Sequence, residues 1–212
     1  DRKLSVKDVM TLCRDKGYGT FFDPTRGIRG GPYQNPNYDS SARLISVKQA
    51  EYTTVTQCRG WLPAPIGGIV WLAWGAQDTS CFMPFYAGIK AMPGSFRVGD
   101  HFVLNRDSAR WAFDYVDFHA QVCYSPALEE IKKAQTRWED GAGNQMPDLD
   151  LKALDLYKKN PARMADLLTA FCLNNAEQVV RAWWQLGDEL LVKFNHFGYY
   201  NAERRTVERK PM

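Results

Sequence analysis

The chain has 212 residues, of which 45% are hydrophobic and 13% aromatic, enough apolar material for one sizeable domain with its own core. Its 27 basic and 24 acidic residues leave a formal net charge of +3, a balance that argues against a nucleic-acid-binding protein. No run of eighteen apolar residues occurs, so we predict no membrane-spanning helix.

The cysteines are odd in number, widely spaced and free of any CxxC pair. They are Cys13, Cys58, Cys81, Cys123 and Cys172. This pattern excludes a disulfide framework and a cysteine-ligated zinc site, and is typical of small buried apolar side chains. It leaves the compartment open between the cytoplasm and export from the cell.

The first predicted element is a helix from Ser5 to Lys16, in which Ser5 and Asp8 have the spacing of a capping box. Gly17 and Gly19 are expected to end it. A loop follows over residues 20–42. A loop of this length inside a compact domain is more often functional than a linker.

Three stretches are predicted to form strands. Residues 43–59 alternate and are rich in Thr and Val, with a turn expected near residues 49–51. The run IVWLAWG follows Gly67 and Gly68 and is typical of a strand covered on both faces. Residues 80–86 form the third candidate. Short connections between these stretches favour an antiparallel sheet.

From residue 107 onward the apolar pattern becomes helical. One helix is predicted from Asp107 to about residue 140, kinked or split at Ser125–Pro126, and residues 140–150 are predicted to form a loop. Asn160–Pro161 is a helix start signal. The helix after it is expected to break near residues 174–175 and to end at residue 194.

Strands followed by helices predict an α+β fold. We expect a single domain over residues 1–212, strand-rich over 43–105 and helical over 107–197. Residues 202–212 form a basic tail, and a terminal run of charge is typical of a solvated chain end.

No P-loop, dinucleotide-binding fingerprint, HExxH or GxSxG motif is present. The three histidines, at 101, 119 and 196, are far apart in the sequence. We therefore predict neither a cofactor nor a metal. A cysteine–histidine hydrolase that uses Cys58 or Cys81 stays open as an alternative.

Two arginines are the candidate site residues. Arg43 and Arg59 lie at the two ends of the first predicted strand pair, in a stretch otherwise built of Ser, Thr, Val and Tyr. A guanidinium at either place could bind a substrate carboxylate or stabilise an oxyanion. The alternative is a structural ion pair with Asp or Glu.

Several ordered motifs resemble the second half of bacterial cysteine dipeptidases of the dipeptidase A type, which are relatives of the secernins. The matching positions are Val9, Met10, Arg14, Asp15, Gly19, Thr20, Asp23, Arg43, Gln57, Arg59, Leu62, Pro63, Gly67, Gly68, Trp71, Ser80, Pro84, Tyr86, Asp107, Ser108, Ala109 and Trp111. The resemblance covers residues 5 to about 200. Lys16 and Gly17 depart from it, where the family has His and a bulky residue.

The resemblance implies an N-terminal-nucleophile (Ntn) hydrolase, in which two antiparallel sheets are stacked between helical layers (αββα). It implies hydrolysis of a dipeptide amide bond through an acyl-enzyme. The nucleophile would be a cysteine at the mature N-terminus, with its own α-amino group as base. By the same analogy an arginine on a strand lies near the nucleophile, with Arg43 the first candidate and Arg59 the second.

Asp1 stands where that nucleophile is expected, and none of the five cysteines matches it. The sequence therefore predicts a C-terminal fragment that is inactive alone and pairs with the N-terminal half, or with a second copy of itself. The alternative is a binding or scaffolding module derived from the same fold, without catalysis.

Overall fold

A computed structural model of the protein describes residues 3–38, 43–195, 199–201 and 206–208. In chain order the elements are α1 (Val6–Cys13), β1 (Tyr52–Cys58), α2 (Ala64–Gly67), β2 (Gly68–Trp74), β3 (Met83–Tyr86), a 3₁₀ turn (Gly94–Phe96), α3 (Ala109–Ala120), α4 (Tyr124–Lys159), α5 (Pro161–Phe194), β4 (Tyr199–Asn201) and β5 (Thr206–Glu208). The predicted α+β class is confirmed. Within the described ranges, no helix is long and apolar enough to cross a membrane. His196 and the basic side chains of the tail lie outside the described residues.

The main sheet has three antiparallel strands in the order β1-β2-β3. Val55 lies opposite Trp71 in the β1–β2 register. Burial alternates along both strands: Val55, Ile69, Trp71 and Ala73 are buried on one face. The other face is partly exposed, so the described residues do not cover β2 on both sides, contrary to the sequence prediction.

The strand predicted over residues 43–59 begins only at Tyr52. Residues 43–51 are irregular, because their backbone and side chains bond elsewhere. The Ser46 amide donates to the Asp15 carbonyl at 3.0 Å, and the Val47 amide donates to the Gln77 side chain at 3.3 Å. These bonds take the place of a strand ladder.

Local helix start signals are confirmed. The Ser5 hydroxyl accepts from the Asp8 amide at 3.2 Å, and the Asp8 carboxylate accepts from the Ser5 amide at 2.8 Å, which completes the capping box of α1. The Asn160 side chain accepts from the Arg163 amide at 3.1 Å at the start of α5. Helices α3 and α4 are separate, as predicted, but the division lies at residues 121–123, and Ser125 and Pro126 belong to the first turn of α4.

Two predicted helix interruptions are wrong. Residues 140–150 lie inside α4, which passes through Gly141, Gly143 and Pro147, and α5 continues through Asn174 and Asn175. Proline within a helix costs about 3 kcal/mol. Burial outweighs this cost, since α4 repeatedly turns an apolar side chain inward at helical spacing. Those side chains are Ile131, Ala142, Met146, Leu149 and Ala153.

Trp183 of α5 packs against α3 and the β2–β3 connection. This side chain is fully buried, lies 5.3 Å from the Phe113 ring and donates its indole N–H to the Thr79 carbonyl at 3.1 Å. One turn later Gly187 allows Tyr115 of α3 to lie against the α5 backbone. A Cβ at position 187 would come within 2.3 Å of the Tyr115 ring.

A matched pair of substitutions tests this packing. Gly187→Ala should lower the free energy of unfolding by about 1–2 kcal/mol, because the clash with Tyr115 exceeds the gain in helix propensity. Gly141→Ala in α4, where a Cβ would meet no atom within 4 Å, should raise it by up to about 1 kcal/mol. Urea unfolding of both variants gives the comparison. Equal effects would contradict the Gly187 contact.

Candidate functional site

A cleft of about 690 Å³ lies between α1, β1 and α4 and contains Arg59. Its floor is made by Val55, Gln57 and Trp71 of the sheet, and its rim by residues of α1 and α4. Arg43, the other predicted site residue, is exposed in the irregular segment before β1. It is not among the described residues that line this cleft, so the structure does not bring the two arginines into one pocket.

Arg59 is bound on several sides. Its guanidinium makes a two-pronged ion pair with Asp150 of α4, with N–O distances of 2.5 and 3.2 Å, and donates to the Ile66 carbonyl at 2.6 Å. The ion pair that the sequence left as an alternative is therefore present. It fixes the end of β1 to α4.

Tyr86 of β3 completes this cluster. Its hydroxyl donates to Asp150 at 2.9 Å, and its ring lies 5.7 Å from the Arg59 guanidinium carbon. Burial and the nearby Asp150 carboxylate raise the pKa of Tyr86, so its hydroxyl is protonated at neutral pH and acts as a donor. Beside it, the Trp71 indole donates to Gln57 at 3.2 Å.

Glu139, eleven residues before Asp150 on α4, is held in the same way. Arg14 forms a two-pronged pair with it and also donates to the carbonyls of Gln77 at 3.1 Å and Ser80 at 3.2 Å. The Phe82 amide donates to Glu139 at 2.9 Å. This arrangement connects α1, the β2–β3 connection and α4.

Asp78 is a third buried carboxylate, on the β2–β3 connection. It accepts from the Ser46 hydroxyl at 2.7 Å and from Tyr124, and it lies 3.3 Å from the Lys16 ammonium. Lys16 is 1% exposed, and burial of an ammonium requires such a partner. Tyr18 lines a separate pocket that also contains Asp78 and Tyr124, and burial raises the pKa of Tyr18 to about 12.

Sequence reasoning did not identify these carboxylates. Glu139 and Asp150 are spaced by three helical turns, which places them on one face of a helix. The predicted loop over residues 140–150 hid that relation. Asp78 stands alone in the sequence between a strand and a turn, and no local pattern marks it.

The cysteines do not provide an activated thiol in a cleft. Burial raises the pKa of Cys13, Cys81, Cys123 and Cys172, and a thiol with a raised pKa is a poor nucleophile at neutral pH. Cys81 is completely buried, with Glu139 contributing further to its raised pKa. Cys58 is exposed at the end of β1.

Cys58 belongs to the open face of the sheet. We use this name for the face formed by Tyr52, Thr54, Thr56 and Cys58 of β1 with Gly68, Val70, Leu72 and Trp74 of β2, which lie opposite one another in the register. The four β1 residues are exposed, and Val70 is 39% exposed. The opposite face of the same strands contains the buried side chains.

A model of peptidase family C69 matches residues 1–137, which is more than half of the chain. The chain belongs to peptidase family C69. Among curated proteins, it is 29% identical over 96 residues to "Probable dipeptidase B" of Lactococcus lactis subsp. lactis (strain IL1403), a match that covers 45% of this chain and 19% of that protein. It is 27% identical over 106 residues to "Dipeptidase A" of Lactobacillus helveticus, a match that covers 50% of this chain and 21% of that protein.

A third relative, "Probable dipeptidase" of Salmonella dublin, is 31% identical over 88 residues, covering 42% of this chain and 18% of that protein. This chain therefore aligns with about a fifth of the length of these three relatives. The family membership predicted from the ordered motifs is confirmed.

The Arg59–Asp150 pair generates a stability prediction. Asp150→Asn should lower the free energy of unfolding by about 3 kcal/mol, because Arg59 would keep its place without a balancing charge. Asp148→Asn removes the same charge from an exposed position on α4 and should change stability by less than about 0.5 kcal/mol. Chemical denaturation measures both. A small effect at position 150 would contradict a structural role for the pair.

Asp117 of α3 generates a pH prediction. Burial, and then the Asp78 charge, raise the pKa of Asp117 to about 6. Because this folded-state pKa lies above the ordinary 3.8, its stabilising contribution is complete below about pH 4 and is lost as the pH rises through 6. A shift of two units corresponds to about 3 kcal/mol.

Asp117→Asn should remove this dependence, since the amide oxygen can still accept from Thr79 and Gln121. Relative to the unmodified protein, the variant should gain stability between pH 4 and pH 7. Asp107→Asn, at an exposed position, is the control. A constant stability difference across this range, measured by urea unfolding, would argue against a protonated Asp117.

Proposed function

We propose that this chain is part of a dipeptidase that hydrolyses dipeptide amide bonds, with a cysteine at the start of the mature enzyme as nucleophile. In this proposal that cysteine belongs to a segment outside the present sequence. Residues 1–212 form one domain that supplies a sheet and its helices to an αββα sandwich. Membership of peptidase family C69 supports the reaction class, and the C69 relatives named above are called dipeptidases.

The observation that carries the proposal is the open face of the sheet. One side of β1 and β2 packs on helices, whereas the other leaves the β1 side chains and Val70 exposed. A sheet with one face on helices can receive a second sheet on the other. The partner that we propose for this face is the nucleophile-bearing half.

The thiols of this chain also support a nucleophile that lies outside residues 1–212. A nucleophilic cysteine needs a lowered pKa or an adjacent base in an accessible place. Burial has the opposite effect on Cys13, Cys81, Cys123 and Cys172. We therefore propose that the attacking thiol comes from elsewhere in the enzyme.

In this proposal the two arginines differ in role. Arg59 is held by Asp150 and by the Ile66 carbonyl, so it shapes the cleft and fixes β1 on α4. Arg43 is exposed, in a segment that Ser46 ties to Asp78. Its guanidinium is the better candidate for a substrate carboxylate or a developing oxyanion.

Thiol labelling of the protein expressed from its complete reading frame tests the proposal. Iodoacetamide should abolish hydrolysis of unmodified dipeptides, and mass spectrometry of digested protein should place the label responsible outside residues 1–212. Prior incubation with a dipeptide should slow that labelling. Cys58→Ser should leave the activity unchanged, because Cys58 is not the nucleophile.

Loss of activity that tracks with labelling of Cys58 or Cys81 would overturn the proposal in favour of a cysteine–histidine hydrolase. Full activity after complete thiol labelling would exclude any cysteine nucleophile. Absence of hydrolysis, in a protein that still binds dipeptides, would favour the non-catalytic binding module.

A further inference from the structure

A second cleft, of about 380 Å³, lies where β1 begins and β2 ends. It shares none of its described lining residues with the cleft of Arg59. Its walls are aromatic. The rings of Tyr52 and Trp74 lie 6.4 Å apart, those of Trp74 and Phe96 lie 5.4 Å apart, and Trp111 stands on the α3 side.

The cleft also has an excess of negative charge. Three carboxylates line it, those of Glu51, Asp100 and Asp114, against the single guanidinium of Arg110. Arg110 pairs with Glu51 and donates to Asp114 at 2.8 Å. His101 lines the same cleft. A cationic group that enters it therefore meets a favourable field.

Two buried polar atoms in the lining have unused hydrogen-bonding capacity. The indole nitrogen of Trp74 and the hydroxyl oxygen of Ser95 are both buried, and within the described part of the chain neither has a hydrogen-bond partner. A buried donor without an acceptor costs about 1–3 kcal/mol. A small movement of the lining side chains that admits a carbonyl oxygen would let this oxygen accept from the Trp74 N–H.

We propose that this cleft binds an organic cation, an alkylammonium or guanidinium group on a molecule that also carries a carbonyl oxygen. The aromatic rings attract such a cation through their faces, the carboxylates balance its charge, and Trp74 can donate to its carbonyl. The amino terminus of a peptide and the side chain of a lysine or arginine residue both present this chemistry. The inference concerns binding alone and does not depend on the proposed reaction.

Three small probes separate these sources. Glycinamide carries an α-ammonium beside a carbonyl. Nα-acetyl-lysine amide carries two carbonyls, and its only cation is the side-chain ammonium. N-acetyl-glycine amide carries two carbonyls and no cation. Binding to the protein from its complete reading frame is followed by tryptophan fluorescence, since Trp74 and Trp111 line the cleft, and by calorimetry. At least one cationic probe should bind about tenfold more tightly than the neutral one.

The variant Glu51→Gln with Asp100→Asn removes two charges while keeping oxygen acceptors for Arg110 and for the Phe102 amide. It should weaken the cationic probe about tenfold and leave the neutral probe unchanged. The matched control, Glu129→Gln with Asp148→Asn, removes two charges from exposed positions on α4 and should have no effect. Thermal unfolding confirms that both variants are folded.

The preferred cation identifies the source: glycinamide indicates a peptide amino terminus, and Nα-acetyl-lysine amide indicates a side chain. Equal binding of the neutral probe would overturn the inference, as would failure of all three probes to bind. An equal loss of affinity in the two double variants would also overturn it, because the effect would then come from net charge and not from the cleft.

Discussion

The structure depends on burying carboxylates that must find cationic partners in other layers of the fold. Glu139 and Asp150 project from one face of α4, and each receives a guanidinium from a different segment: Arg14, just after α1, and Arg59, just after β1. An unpaired charge in such a place would cost several kcal/mol. These pairs therefore fix where α1 and the sheet lie on α4, and Asp78 extends the same constraint to the segment around Ser46.

This constraint explains why the helical face of the sheet is well defined while the opposite face is open. The ion pairs and the buried side chains Val55, Ile69 and Trp71 all lie on the side of α1, α4 and α5. On the open face, Thr54, Thr56 and Cys58 meet no comparable layer among the described residues. The two-sheet dipeptidase that we propose would account for this asymmetry. Of the two clefts, the one lined by Tyr52 and Trp74 borders the open face, whereas the cleft of Arg59 lies on the helical side.

The sequence predicted well those features whose cause is local. The capping box at Ser5 and the Asn160–Pro161 start depend on neighbouring residues and were confirmed. Glycine and proline favoured a loop over residues 140–150, but burial of Met146 and Leu149 keeps that stretch helical. The alternation over residues 43–51 gave a false strand, because Ser46 and Val47 bond to distant groups. The partner of Arg59 could not be foreseen, since it lies 91 residues away in sequence.

The measurement that tests the central claim most directly uses Cys58, a natural reporter on the open face. Its reaction rate with a small thiol reagent is measured by mass spectrometry in the folded protein from the complete reading frame, and again after denaturation. If a second sheet covers the open face, Cys58 should react at least about a hundredfold more slowly in the folded protein, the protection that an opening free energy of about 3 kcal/mol provides. Reaction at the denatured rate would show that the open face is solvent-exposed in the whole protein, and would contradict the two-sheet assembly.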